Sequence, residues 1–163
     1  MIAIPTEDSL RRRIEVALTL FSVFDSYLIY YDLSERAITH KLAEYLQFTF
    51  QDWHVDCEYN RYGFKPKTTR LRNKNEDLED SPVYPDIIVH RRGEPKNHRH
   101  PPHCLVVEAR KGGCSKAKIH RDGEKVLSYL SAPLRYRYGM LIEFYLDVGG
   151  RAVWDYKLFR GRN

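Results

Sequence analysis

Two short stretches decide the reading: Val83-Tyr-Pro-Asp-Ile-Ile-Val-His90 and Cys104-Leu-Val-Val-Glu-Ala-Arg110. Both are brief, apolar and rich in β-branched residues, the pattern of strands buried on both faces. Each also carries one carboxylate. Asp86 heads the first apolar run and Glu108 sits near the end of the second. Burying an acid beside such runs is costly unless a cation or hydrogen bonds compensate. The intervening polar stretch, 91–103, holds Gly93, Pro95, Pro101 and Pro102 and reads as a loop joining the strands. A hairpin of this kind brings the two acids together. A hard divalent cation such as Mg²⁺, which takes oxygen ligands, then relieves their repulsion.

Outward from this pair the order of elements follows from periodicity. Thr6, Asp8 and Ser9 are candidate caps for a first helix with apolar residues at Leu10, Ile14, Ala17, Leu18 and Phe21. Asp32 and Glu35 have the spacing of a capping box, with Ser34 the other candidate cap. Ile38, Leu42, Tyr45 and Leu46 follow on one helical face. His54-Val-Asp-Cys-Glu-Tyr59 alternates as a strand does. Lys116 to Leu130 reads as a helix with Ile119, Val126, Leu127 and Leu130 toward the core. Gly139-Met-Leu-Ile-Glu-Phe-Tyr-Leu146 is a buried strand, Gly149-Gly150 a turn, and Ala152 to Phe159 the last strand. The segment 61–82, basic then acidic, is expected to be a polar loop. The whole predicts one α/β domain over 1–163, a sheet with helices packed on it.

The chain has 163 residues, 42% of them hydrophobic and 30% charged, a globular balance. Its formal charge of +5 suits a polyanionic partner without identifying one. Cys57, Cys104 and Cys114 form no CxxC pair, so neither a disulfide framework nor a structural zinc site is expected. With no signal-peptide pattern and no apolar run long enough to span a bilayer, the expectation is a cytoplasmic protein with no membrane partner. His90, His98, His100 and His103 read as solvated loop histidines, and His54 as structural.

Residues two apart on a strand share a face, so Glu108 and Arg110 point one way and Ala109 and Lys111 the other. Two acids holding a metal beside a cation is a layout for phosphodiester cleavage, in which metal and cation neutralise charge on the phosphate. With Pro85-Asp86, Glu108-Ala109-Arg110, the following helix and the strand from Tyr138, the chain resembles the PD-(D/E)XK nucleases, the restriction-endonuclease-like superfamily. The resemblance covers Glu35 to Leu146 and rests on a short motif plus the order of elements. It implies a three-layer core, a mixed central sheet flanked by helices. It also implies Mg²⁺- or Mn²⁺-dependent hydrolysis of nucleic acid, DNA before RNA. Asp86, Glu108 and the Ala109 carbonyl would be metal ligands, and Glu35, from the N-terminal helix, would orient water or bind a second metal.

The superfamily's lysine is replaced by Arg110, which stays protonated and cannot be a general base, although it can clamp phosphate. Three routes remain open. No protein base is needed, or Lys111 reaches in from the opposite face, or Lys125 (less so Lys118) supplies a relocated amine. The alternative is a catalytically degenerate domain serving as a nucleic-acid-binding or assembly module. Competing readings of the acids are structural: Glu35 as a capping residue, Asp86 as a strand starter, and Glu108 as an exposed edge-strand partner of Arg110. Tyr59, Arg61, His40 and Lys111 are the candidate substrate contacts. A homodimer would supply a second site for a second strand.

Overall fold

The computed structural model describes residues 3–62, 65–66, 68–72, 78–92 and 103–161. Helix α1, Glu7–Asp25, starts at Thr6, whose Oγ1 accepts the Ser9 N–H. A single turn, α2, spans Tyr27–Tyr30, and α3 spans Glu35–Thr49. Four strands form the first half of the sheet region and its hairpins: β1 (His54–Cys57), β2 (Arg61–Tyr62), β3 (Lys65–Pro66) and β4 (Thr68–Arg72). Then come β5 (Leu78–Pro82), β6 (Ile87–His90) and β7 (His103–Lys111). Helix α4, Lys116–Leu130, precedes β8 (Tyr138–Leu146) and β9 (Ala152–Arg160).

The fold is α/β, built on a five-stranded mixed sheet of order β1-β6-β7-β8-β9. Only β7 and β8 run parallel, and α4 is the connection between them. The two carboxylate-bearing stretches thus occupy the interior of the sheet, where β6 and β7 are buried almost throughout.

The apolar periodicity of the sequence explains the packing. Leu10, Ile14, Ala17, Leu18 and Phe21 of α1 are wholly buried, and with Ile38, Leu42 and Leu46 of α3 they join Ile87, Leu105, Val107, Met140 and Ile142 in one cluster. The alternate strand residues Ile88 and Val106 join Tyr129 and Leu130 of α4 in a second cluster. Gly139 lets α4 seat closely: a Cβ there would stand 2.5 Å from Val126 Cγ1.

Three expectations are corrected. The segment 61–82 is no unbroken loop, because its described residues form two antiparallel hairpins, β2–β3 and β4–β5. The β4–β5 register sets Arg70 opposite Asp80, so the basic and acidic halves of that segment run as facing strands. Leu127 is 50% exposed, and Tyr129 takes the buried position on α4 instead. His90 and His103 are buried strand residues, not loop residues: a His90 ring nitrogen lies 2.7 Å from Asp56 Oδ2 and His103 Nδ1 lies 2.7 Å from the Leu134 carbonyl. His98 and His100 fall outside the described residues.

Candidate active site

The β6–β7 register pairs Ile88 with Val106 and Ile87 with Val107, and one further step sets Asp86 opposite Glu108. Directly opposed residues of an antiparallel pair share a face. Pro85 ends the ladder on one side, so Asp86 lies just outside β6 while Glu108 lies within β7. The Asp86 Oδ2 accepts the Ala109 N–H at 2.8 Å. In an antiparallel ladder the N–H and C=O of one residue face the same neighbour. The Ala109 carbonyl therefore turns to the same edge, where the opposing residue in register is Pro85, which has no N–H to give.

Glu108 is 5% exposed. It is therefore no edge-strand partner of Arg110, and β7 is the central strand of the sheet. Its two oxygens are served from α4: Lys125 Nζ donates to Oε2 at 2.7 Å, and the Tyr129 hydroxyl donates to Oε1 at 3.0 Å. Burial, and next the Asp86 charge, push the Glu108 carboxyl up to about 7, against the opposing pull of Lys125 and Tyr129. Asp86 is also raised, first by burial. The Ala109 N–H and Lys125 oppose this, while the charges of Glu35 and Asp122 reinforce it. The same surroundings raise the Tyr129 phenol.

Glu35 reaches this neighbourhood as the first residue of α3. Ser34 is the N-cap, with its Oγ accepting the Ala37 N–H. The Asp32–Glu35 capping box is not formed, because Asp32 has φ +51 and receives Lys111 Nζ at 2.6 Å. Glu35 is thus spared the capping role and left half-buried, its charge felt at Asp86.

Arg110 shares the Glu108 face as alternation requires, but it is committed elsewhere. Its Nε and Nη2 both donate to Glu143 Oε2, the neighbouring residue in register on β8, and Nη1 stands 3.7 Å from Asp122 Oδ2 without a hydrogen bond. With its side chain 7% exposed, Arg110 is no free phosphate clamp. The expected roles of arginine and lysine are divided between two elements: the guanidinium braces β8 and α4, and the amine beside Glu108 comes from Lys125. Asp122, Lys125, Val126 and Tyr129 fall on one stripe of α4, at the three- and four-residue spacing of neighbours on a helix.

The expected substrate contacts do not converge here. Lys111 points to the other face and anchors the start of α3 through Asp32 and the Leu33 carbonyl. His40 is exposed and pairs with Glu44 at 3.1 Å. Tyr59 is half-buried, its ring 4.8 Å from that of His90. The Arg61 side chain lies outside what is described. Lys118 is exposed on the first turn of α4, its N–H capped by Ser115. Sequence reasoning missed Tyr129, Asp122 and Glu143. The signal for the first two was their spacing from Lys125 on one helix.

Two opposed carboxylates, a carbonyl turned to the same edge and a third acid nearby, set beside the Lys125 ammonium, are oxygen donors of the kind a hard cation takes. Among the described residues no group of three or more His, Cys, Asp and Glu side chains stands close enough to enclose a metal by itself. A Mg²⁺ site needs less, since it keeps several waters and takes one or two carboxylates plus substrate phosphate. No described helix is long and apolar enough to cross a membrane. No family model, curated protein or solved structure matches the chain.

Proposed function

We propose that the chain is a metal-dependent nuclease of the PD-(D/E)XK type that hydrolyses nucleic-acid phosphodiesters, with Lys125 standing in for the motif lysine. The observation that carries the reading is Lys125 Nζ at 2.7 Å from Glu108, opposite Asp86 in register. In this reading the helix-flanked mixed sheet is the superfamily's three-layer core.

Asp86, Glu108 and the Ala109 carbonyl would hold Mg²⁺ or Mn²⁺, with Glu35 behind them. When bound, the cation supplies charge neutralisation at the phosphate and lowers the pKa of a water. The chain does the rest. The Ala109 N–H fixes the Asp86 carboxylate, and the Tyr129 hydroxyl fixes that of Glu108. Lys125 brings a mobile ammonium to the cleft, able to transfer its hydrogen bond from Glu108 to a phosphate oxygen. Arg110 keeps β7, β8 and α4 in fixed register, a positioning role.

The test is nicking of supercoiled plasmid with Mg²⁺ and with EDTA. Cleavage is expected with the metal alone, and its loss in Asp86→Ala. Cleavage that persists in EDTA or in the variant overturns the reading. One observation favours a second reading, a non-cleaving nucleic-acid-binding module: Lys125 already neutralises Glu108, and Arg110 is closed on Glu143. That reading predicts salt-dependent binding without turnover.

A further inference from the structure

The C-terminal ends of β7 and β8, the start of β9 and the start of α3 meet at one edge of the sheet, the edge that carries Asp86 and Glu108. A 910 Å³ groove opens along the same edge, on the helix α1 side. It is lined by Tyr27, Tyr30 and Tyr31 around α2, by Arg151 and Trp154 at the start of β9, and by the hydroxyls of Ser22 and Ser26. The three tyrosines are 49%, 59% and 69% exposed, unusual for rings of this size grouped together. Tyr30 and Tyr31 stand edge-to-face, centroids 5.0 Å apart, so each leaves a face for an outside ring. Arg151 is tied by its edge to Asp147, yet its side chain is 83% exposed and its flat face is open.

Groove and carboxylates are joined by a short run of chain. Tyr31 adjoins Asp32, which receives Lys111, and Lys111 lies three strand residues, about 10 Å, from Glu108. The carboxylates face α4 and the rings lie on the α1 side, so a strand whose phosphate lies at the carboxylates reaches the rings by crossing this edge of the sheet.

We propose that this groove is a base-stacking subsite for single-stranded nucleic acid, taking unpaired bases of either a free strand or a frayed duplex end. The inference rests on the reading of this sheet edge as a nucleic-acid site and adds to it the substrate class. Clustered exposed aromatic faces beside an open guanidinium hold unpaired bases of any sequence. Paired bases keep their faces stacked within the duplex and leave the groove empty. A proline-rich peptide is the other ligand that aromatic grooves take. The groove's place at the sheet edge that carries the carboxylates, and the chain's positive charge, favour the nucleic acid.

The experiment is Trp fluorescence of the wild-type chain in EDTA, titrated with an oligothymidylate, with a blunt duplex of equal length and with a polyproline peptide. Quenching by the single strand alone is expected, and its loss in Trp154→Phe, which leaves the buried Trp53 as control. Tyr30→Ala combined with Tyr31→Ala, both at exposed positions, weakens single-strand binding by about tenfold or more, while Tyr31→Phe keeps it. Equal binding of duplex and single strand by wild type and double variant overturns the inference, as does quenching by the peptide alone. Asp86→Ala separates the two proposals: it removes cleavage and leaves the quenching intact. A chain that quenches but never cleaves loses the nuclease reading and keeps the groove.

Discussion

Lys125 donates to Glu108 over 2.7 Å, from a helix to the central strand, across 17 positions of sequence. This pair governs both the electrostatics of the cleft and the seating of α4.

Removing the amine tests both consequences at once. Lys125→Met is expected to cost about 1–3 kcal/mol at pH 8, less than the roughly 3–5 kcal/mol for breaking a fully buried pair, because the Lys125 side chain is 28% exposed. Under the nuclease reading it also lowers Mg²⁺-dependent nicking by about a hundredfold. Urea denaturation and the plasmid assay read the two effects separately.

Tyr129→Phe keeps the ring and removes the donor to Glu108 Oε1. The lost hydrogen bond to a buried carboxylate is expected to cost about 1–3 kcal/mol when Glu108 is ionised. The loss is therefore larger at pH 8 than at pH 5, a difference that paired denaturation curves measure.

The raised acids give stability a definite pH slope. Glu108 has an ordinary value of 4.5 and about 7 in the fold, so the folded chain holds this proton more tightly than the unfolded one. Its contribution to stability is full below about 4.5 and is lost as pH rises through about 7. Asp86, raised as well, acts with the same sign. Asp56, lowered by Arg92 and His90 against its burial, acts oppositely: its contribution is present above 3.8 and lost in acid. Glu108→Gln is expected to flatten the slope between pH 4.5 and 7 in thermal melts. Under the nuclease reading, Mn²⁺ affinity, which needs the ionised acid, is expected to rise through the same interval in calorimetry.

Under the nuclease reading, Arg110→Lys installs at the motif position the lysine that the PD-(D/E)XK superfamily carries there. Lysine cannot reproduce two N–H bonds to Glu143 together with the charge beside Asp122. The substitution is expected to cost about 1–3 kcal/mol and to bring no gain in nicking. A gain would assign the amine to β7 and remove Lys125 from the role proposed for it.

Gly139→Ala drives a methyl into Val126, against the helix that carries Lys125. Overpacking of about 1–3 kcal/mol is expected, read as a lowered midpoint in urea.

Helices α1, α3 and α4, the central strands and the opposition of Asp86 to Glu108 were legible because each rests on local periodicity: apolar residues at helical spacing, and two β-branched runs each marked by one acid; the single turn α2 is too short to show one. What escaped was set by distant partners. Asp32 looked like a cap for Glu35, but Lys111 claims its carboxylate and Ser34 caps α3. Arg110 looked free for phosphate, but β8 brings Glu143 beside it in a register no local pattern reveals. Leu127 was assigned inward on hydrophobicity, although Tyr129 fits the stripe with Asp122 and Lys125. The hairpins of 61–82 were hidden because their apolar residues are too few to show a period of two.

The single stripe of α4 has a mechanical consequence. Tyr129, within the core cluster, and Val126, buried over Gly139, hold the helix down on the sheet, and Asp122 and Lys125, on the same side, reach the polar chemistry. Rotating that helix to withdraw the amine would also unseat a buried phenol and an isopropyl group. A change of the Lys125 rotamer leaves both groups seated, so the amine can move while the backbone beneath it serves as a fixed anvil.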